Sequence, residues 1–174
     1  MSENPEALPA RDPDASRSTL SHIMMVTDTN LFGTVHGGVI AKLVDECGGM
    51  AAARHSGGTA VTATMDEMAF LAPVRVGDLV HARAQVTWVG RSSLEVEVEV
   101  TAERWDEAAA PRTHVASAHL VFVAIDAEGK PRAVPPLALT TDEDRRRYEE
   151  AKIRREHRLA RRDAIKASRT IAPH

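Results

Sequence analysis

Alternation at every second residue is clearest from Leu94 onward, where Leu94, Val96, Val98 and Val100 interleave with Glu95, Glu97, Glu99 and Thr101. A period of two puts the aliphatic set on one face of a β-strand and the carboxylates on the other, so one face is expected to be buried and one wet. Residues 60–71, 79–89 and 113–125 share this strand character, and a short strand is expected from Thr19 in the LSHIMMV stretch. Gly77-Asp78, Gly90-Arg91 and the charged stretch 106–112 supply connections short enough for antiparallel neighbours.

The period changes between residues 35 and 55. There Val39, Ile40, Leu43, Val44, Cys47, Met50 and Ala51 recur at helical spacing and predict one amphipathic helix, ended by Gly57-Gly58. The order strand, helix, four strands points to an α+β domain in which a single helix packs across one antiparallel sheet. Beyond Pro135-Pro136, residues 141–168 read as a long charged helix, with Asp142, Glu143 and Asp144 placed to complement its N-terminal dipole. Its apolar residues, Tyr148, Ile153, Leu159 and Ile165, are too sparse for a good stripe, so a solvated helix is expected, a partner-docking helix being the alternative. Residues 1–18 mix Pro, Ala, Ser and charge without an apolar period and are expected to form a disordered tail. The division is thus 1–18 tail, 19–137 folded domain and 138–174 charged helical tail.

A length of 174 residues suits one domain with a substantial core, and no run approaches the roughly 18 apolar residues of a membrane helix. With no secretory pattern at the N-terminus and Cys47 as the one cysteine, a cytoplasmic location without intrachain disulfides is the default expectation. The net charge of −3 is uneven: residues 142–174 hold eleven Lys and Arg against seven Asp and Glu. Because the signs are interleaved there and the chain as a whole is acidic, a nucleic-acid partner is not expected.

Several chemistries are set aside by missing patterns: there is no nucleophile elbow, phosphate-binding loop, dinucleotide fingerprint or zinc spacing, so no metal and no cofactor are expected. Cys47 lies in the apolar stripe and reads as core, not nucleophile. If the chain is an enzyme, what remains is a carboxylate acting with water. At about 100° per residue, Asp45 leaves the apolar stripe and shares a sector with Ala41, Gly48, Gly49 and Ala52, all small. Two glycines inside a helix cost roughly 1 kcal/mol each relative to alanine, which implies close approach of a backbone or a ligand. Glu46 has an ordinary solvated partner in Lys42, so Asp45 is the catalytic candidate, a plain surface carboxylate being the alternative. At the helix start, His36-Gly37-Gly38 can present free N–H groups to a developing oxyanion, or can simply allow a tight turn. Asn30 lies in the loop just upstream, where its type alone says little.

The stretches DTNLFGTVHGGVIAKLVDE, AARH, MDEMAFLAPVRVGD, VGRSS and FVAIDAEGKPRAVPPL, in that order from about His22 to Leu137, resemble the acyl-CoA thioesterase family of hotdog proteins. The resemblance is to the cytosolic acyl-CoA hydrolases and their bacterial single-domain relatives. It implies a five-stranded antiparallel sheet wrapped round one central helix, acyl-CoA as substrate, homodimers and a trimer of dimers. It places the family's helix carboxylate at Asp45 and its loop asparagine at Asn30. It also implies that His36, the Gly90-Arg91-Ser92-Ser93 turn and the Lys130 to Arg132 region face the CoA moiety, with Arg91 a suitable phosphate partner.

On this reading Asp45 serves as general base or nucleophile, Asn30 positions the water or carbonyl, and N–H groups near Gly37 and Gly38 stabilise the oxyanion. Gly37 and Asp45 stand eight residues apart on one helix, about 12 Å along its axis, too far for both to touch one thioester. The site is therefore expected to combine two subunits. Two other functions are weighed: a hotdog hydratase or dehydratase acting on enoyl-CoA or hydroxyacyl-CoA, whose Asp/His pairing has no clear counterpart in Asp28-Thr29-Asn30, and a non-catalytic acyl-CoA sensor.

Overall fold

The computed structural model describes residues 8–107 and 111–170. The ends of the expected N- and C-terminal tails, residues 1–7 and 171–174, lie outside the described residues, as do 108–110 of the charged connection. Five strands, β1 (Ser18–Ile23), β2 (Ala60–Phe70), β3 (Asp78–Val89), β4 (Ser93–Arg104) and β5 (Thr113–Ala124), form one antiparallel sheet in the order β1-β3-β4-β5-β2. A central helix, α1 (Gly37–Ser56), packs on one face of this sheet, and a second helix, α2 (Asp142–Thr170), follows the last strand. This is the hotdog arrangement, α+β, with β1 and β2 as its two edges.

The α1 stripe meets the aliphatic face of the sheet. Ile40, Val44, Cys47 and Ala51 pack with Val80, Val86, Val96, Val98 and Leu120 in one contiguous core. Cys47 is fully buried; its thiol faces the carbonyls of Ser18 and Ala82, and burial pushes its pKa up, as suits a core residue. The buried stripe is rotated from the expected one, since Gly48, Ala52 and His55 belong to it. An added Cβ on Gly48 would lie 3.1 Å from two atoms of the Phe122 ring, so this glycine admits a core aromatic, not a ligand or another backbone. The helix ends at Gly57, whose φ of +73° forms the left-handed cap that its lack of Cβ permits.

Three expectations are corrected. Residues 8–18 do not form a disordered tail: Arg11 donates to the carbonyls of Arg54 and His55, at 3.0 and 2.8 Å, and so caps the end of α1. Pro13–Ser16 forms a 3-10 turn whose buried Ser16 hydroxyl accepts from Val86 N–H at 2.9 Å. The segment is held by hydrogen bonds to orphan backbone groups, which a search for apolar periodicity does not register. Secondly, α2 is not a free solvated helix: Ala151 is fully buried, Arg147, Arg154 and Arg158 reach the sheet, and Arg155 stacks 5.1 Å over Trp88. Consequently the outer face of β4 is not uniformly wet; Glu95 is fully buried and Glu97 partly so, and only Glu99 remains exposed.

Candidate functional site

Asp45 projects from the middle of α1 toward the edge strand β2, where Thr62 Oγ1 donates to Asp45 Oδ1 at 2.6 Å. The carboxylate is half-buried while Thr62 is exposed, so the pair opens to solvent beside a strand whose outer edge has no neighbour among the described residues. Glu46, one residue on, faces solvent and pairs with Lys42 at 3.7 Å, as its sector predicts. Thr62 is the functional candidate that the sequence does not announce. It is one β-branched residue in a strand where such residues abound, and only the fold brings it to Asp45.

Asn30 sits in a loop that runs into the start of α1. Its Oδ1 accepts from Phe32 N–H at 2.8 Å and Thr34 N–H at 3.3 Å, and its Nδ2 donates to Thr34 Oγ1 at 2.9 Å. The loop is tied to the helix start by His36 N–H donating to Asp28 carbonyl at 2.7 Å. Asn30 therefore stands at the N-terminal end of α1 with Gly37, and among the described residues no hydrogen bond joins it to Asp45. Leu31 and Phe32, beside it, are almost wholly exposed.

The helix start is only half as free as expected. His36 is the N-cap, and its Nδ1 accepts from Gly38 N–H at 2.9 Å, so that donor is occupied. Among the described residues Gly37 N–H has no acceptor and remains available to an anion. An added Cβ on Gly37 would lie 3.2 Å from the Phe70 ring, and both residues line an apolar cavity of about 370 Å³ with Val35, Ile40, Leu71 and Val115.

At the other end of α1 the two expected CoA segments come together. Val134 N–H donates to Arg91 carbonyl at 3.0 Å and Ala124 N–H to Ser92 carbonyl at 2.8 Å, which seats the Gly90 to Ser93 turn against the 124–134 segment. Gly90 is needed there, because a Cβ would lie 2.8 Å from the Trp88 ring. Among the described residues the cations of Arg91 and Lys130 make no ion pair and face solvent. Arg132 differs: its guanidinium donates to the carbonyls of Ile125 and Ser56 and to the Ser56 hydroxyl, capping α1. Arg132 thus spends three of its five donors on the end of α1, which leaves Arg91 and Lys130 as the freer cations of the two segments.

Along α1 there follow, in order, an apolar cavity with one free N–H, a carboxylate held by a hydroxyl, and a pair of exposed cations. Each can do one part of a reaction: the cavity can seat an apolar chain, the carboxylate can attack a carbonyl, and the cations can hold an anionic moiety.

A model of the thioesterase superfamily matches residues 32–109. The cytosolic acyl coenzyme A thioester hydrolase of Mus musculus is 38% identical over 139 residues, 80% of this chain. The chain spans only 36% of that protein's length. Among solved structures, a hexameric acyl-CoA thioesterase is 33% identical with a TM-score of 0.83, over 88% of this chain and 97% of its own. The acyl-CoA hydrolase of Staphylococcus aureus, determined with butyryl coenzyme A, coenzyme A and coenzyme A disulfide, is 34% identical with a TM-score of 0.83, over 94% of this chain and 97% of its own. That enzyme has also been determined with one asparagine, one aspartate or one threonine replaced by alanine.

Proposed function

The chain belongs to the thioesterase superfamily, among the hotdog acyl-CoA thioester hydrolases, and from that premise we propose that it hydrolyses acyl-CoA to a free carboxylic acid and CoA. The observation that carries the reading is the Asp45–Thr62 contact. Asn30, Asp45 and Thr62 recur at the same spacing as the three residues replaced in the Staphylococcus aureus enzyme. Asp45 activates water or attacks the thioester carbonyl itself; Thr62 fixes the carboxylate's orientation, and Gly37 N–H receives the developing oxyanion. The apolar cavity takes the acyl chain, and Arg91 and Lys130 take the CoA phosphates. A carboxylate, water and the thioester complete the step, so the reaction as proposed calls on no cofactor. We assign it to the domain of residues 19–137 with its capping segment, and to the cytoplasm, where the relatives' name places them.

Turnover in ¹⁸O-labelled water tests this reading. Hydrolysis puts label in the released carboxylate, whereas a hydratase leaves the thioester intact and puts label in a hydroxyl on the acyl chain, which would overturn it. Under single-turnover conditions, label in Asp45 itself identifies the nucleophilic route.

The assembly follows from the same geometry. Asp45 and Gly37 lie about 12 Å apart along α1, Asn30 stays with Gly37, and Asp45 opens beside the free edge of β2. A complete site therefore takes Asp45 and Thr62 from one protomer and Asn30 and Gly37 from its partner, in a homodimer that assembles further as a trimer of dimers. The structural relative described as hexameric supports this stoichiometry. Mixing Asp45→Ala with Asn30→Ala protein under subunit exchange is expected to regain activity that neither shows alone. Activity that stays at the sum of the two would mean each protomer carries a whole site.

A further inference from the structure

The outer face of the sheet holds a polar network that the proposed chemistry does not use. On it α2 reaches two strands that are not neighbours, β4 and β2, with β5 between them. Arg154 Nε and Nη2 both donate to Glu95 Oε1, at 2.9 and 2.8 Å. One turn further, Arg158 Nη1 donates to Asp66 Oδ2 at 2.6 Å and lies 3.7 Å from Glu95 Oε2; Arg161 Nη2 adds a bond of 3.2 Å to Asp66 Oδ1. The Asp66 side chain is only 9% exposed, so this ion pair is shielded from water and from salt.

Asp66 occupies an irregular point of its strand. In the pairing of β2 with β5, Thr62 faces Phe122 and Thr64 faces Val121, then Met65 faces Leu120 and Glu67 faces His119. Ala63 and Asp66 are thus extra residues without partners, two bulges within one edge strand. Among the described residues β2 has β5 as its one strand neighbour, and the two bulges interrupt the ladder between them, so a contact made at a bulge bears on how the strand is bent and seated. The first bulge adjoins Thr62, the hydroxyl that meets Asp45, and the second is the residue that α2 grips.

We infer that Arg158, acting through Asp66, is a positioning residue that holds β2 in the register at which Thr62 meets Asp45. Its kinetic consequence rests on the hydrolase reading. With Arg158→Met, kcat for acyl-CoA falls about tenfold while KM stays within about twofold, because the reacting groups and not the CoA contacts are misplaced. Arg158→Lys restores most of the loss. In a Thr62→Val background, Arg158→Met has little further effect, since the contact it supports is already gone. An unchanged kcat, or losses that multiply in the double variant, would overturn the inference.

A second readout does not need turnover. In protein labelled at threonine methyl groups, the Thr62 signal is expected to move with Asp45→Asn, to move likewise with Arg158→Met, and to return with Arg158→Lys. Absence of turnover in the wild type together with a moving Thr62 signal indicts the hydrolase reading alone; a signal blind to Arg158 indicts the positioning role alone. Should Arg158→Met fail to fold, Asp66→Leu removes the acceptors of the same grip at similar size and is read in the same two ways.

Discussion

Asp45→Asn is expected to lower kcat for acyl-CoA hydrolysis by about 10³-fold, a loss near 4 kcal/mol of transition-state stabilisation. The amide keeps the side chain's size and its acceptor for the Thr62 hydroxyl, so the local geometry of α1 and β2 survives. What is lost is the charge, and with it both the capacity to take a proton from water and the capacity to form an anhydride with the acyl group. The residue is half-buried and bears no part of the core, so folding and CoA binding should be unaffected. Rapid-quench measurement on bound acyl-CoA separates the chemical step from binding. A rate within a few fold of wild type would remove Asp45 from the reaction.

The second large effect is on stability. Glu95 has a side chain 1% exposed, with Oε1 held twice by Arg154 and Oε2 without any hydrogen bond among the described residues. Arg154→Met leaves a buried carboxylate whose remaining cation, Arg158, stands 3.7 Å away. Stranding one partner of a buried pair costs on the order of 3 kcal/mol, or roughly a 6–12 °C fall in Tm for a chain of this size. Replacing both partners, as in Glu95→Leu with Arg154→Met, should recover most of that fall, because the buried carboxylate that lacked its partner is gone. Thermal unfolding of the three proteins at one protein concentration checks this, concentration being held fixed so that self-association does not shift the midpoint. Equal Tm values for the single variant and wild type would mean that α2 does not hold its seat in solution.

Much of the fold was legible in the sequence because a hydrophobic period reports directly on which face meets a core. The helix expected at 35–55 is found at Gly37–Ser56, and the β2, β3 and β5 segments lie within a residue of their expected bounds. The same method misread the outer face. Alternating glutamates look alike whether water or a helix of guanidinium groups covers them, and α2 lacks the apolar stripe that normally signals docking. Residues 8–18 escaped for a related reason, as they contribute hydrogen-bond partners instead of apolar surface.

In the site, Asp45 was legible as a carboxylate off the apolar stripe, and the family resemblance singled it out from its sector. Gly48 shared that sector on an ideal helical wheel, yet the helix turns it inward to meet Phe122. Thr62 lies seventeen residues from Asp45 in a different element, and no local spacing could have joined them. His36 and Arg132 carry the right chemistry for an anion and each also holds one end of α1, a second task that residue type alone cannot reveal.

Free-thiol release from a panel of acyl-CoAs, short to long, by the wild-type protein tests the central claim most directly. The account predicts robust, multiple turnover with at least one chain length and a ranking set by the apolar cavity beside Gly37 and Phe70. A folded protein that binds CoA yet releases no thiol from any member would contradict it, and would leave the acyl-CoA sensor or the hydratase as the reading to pursue.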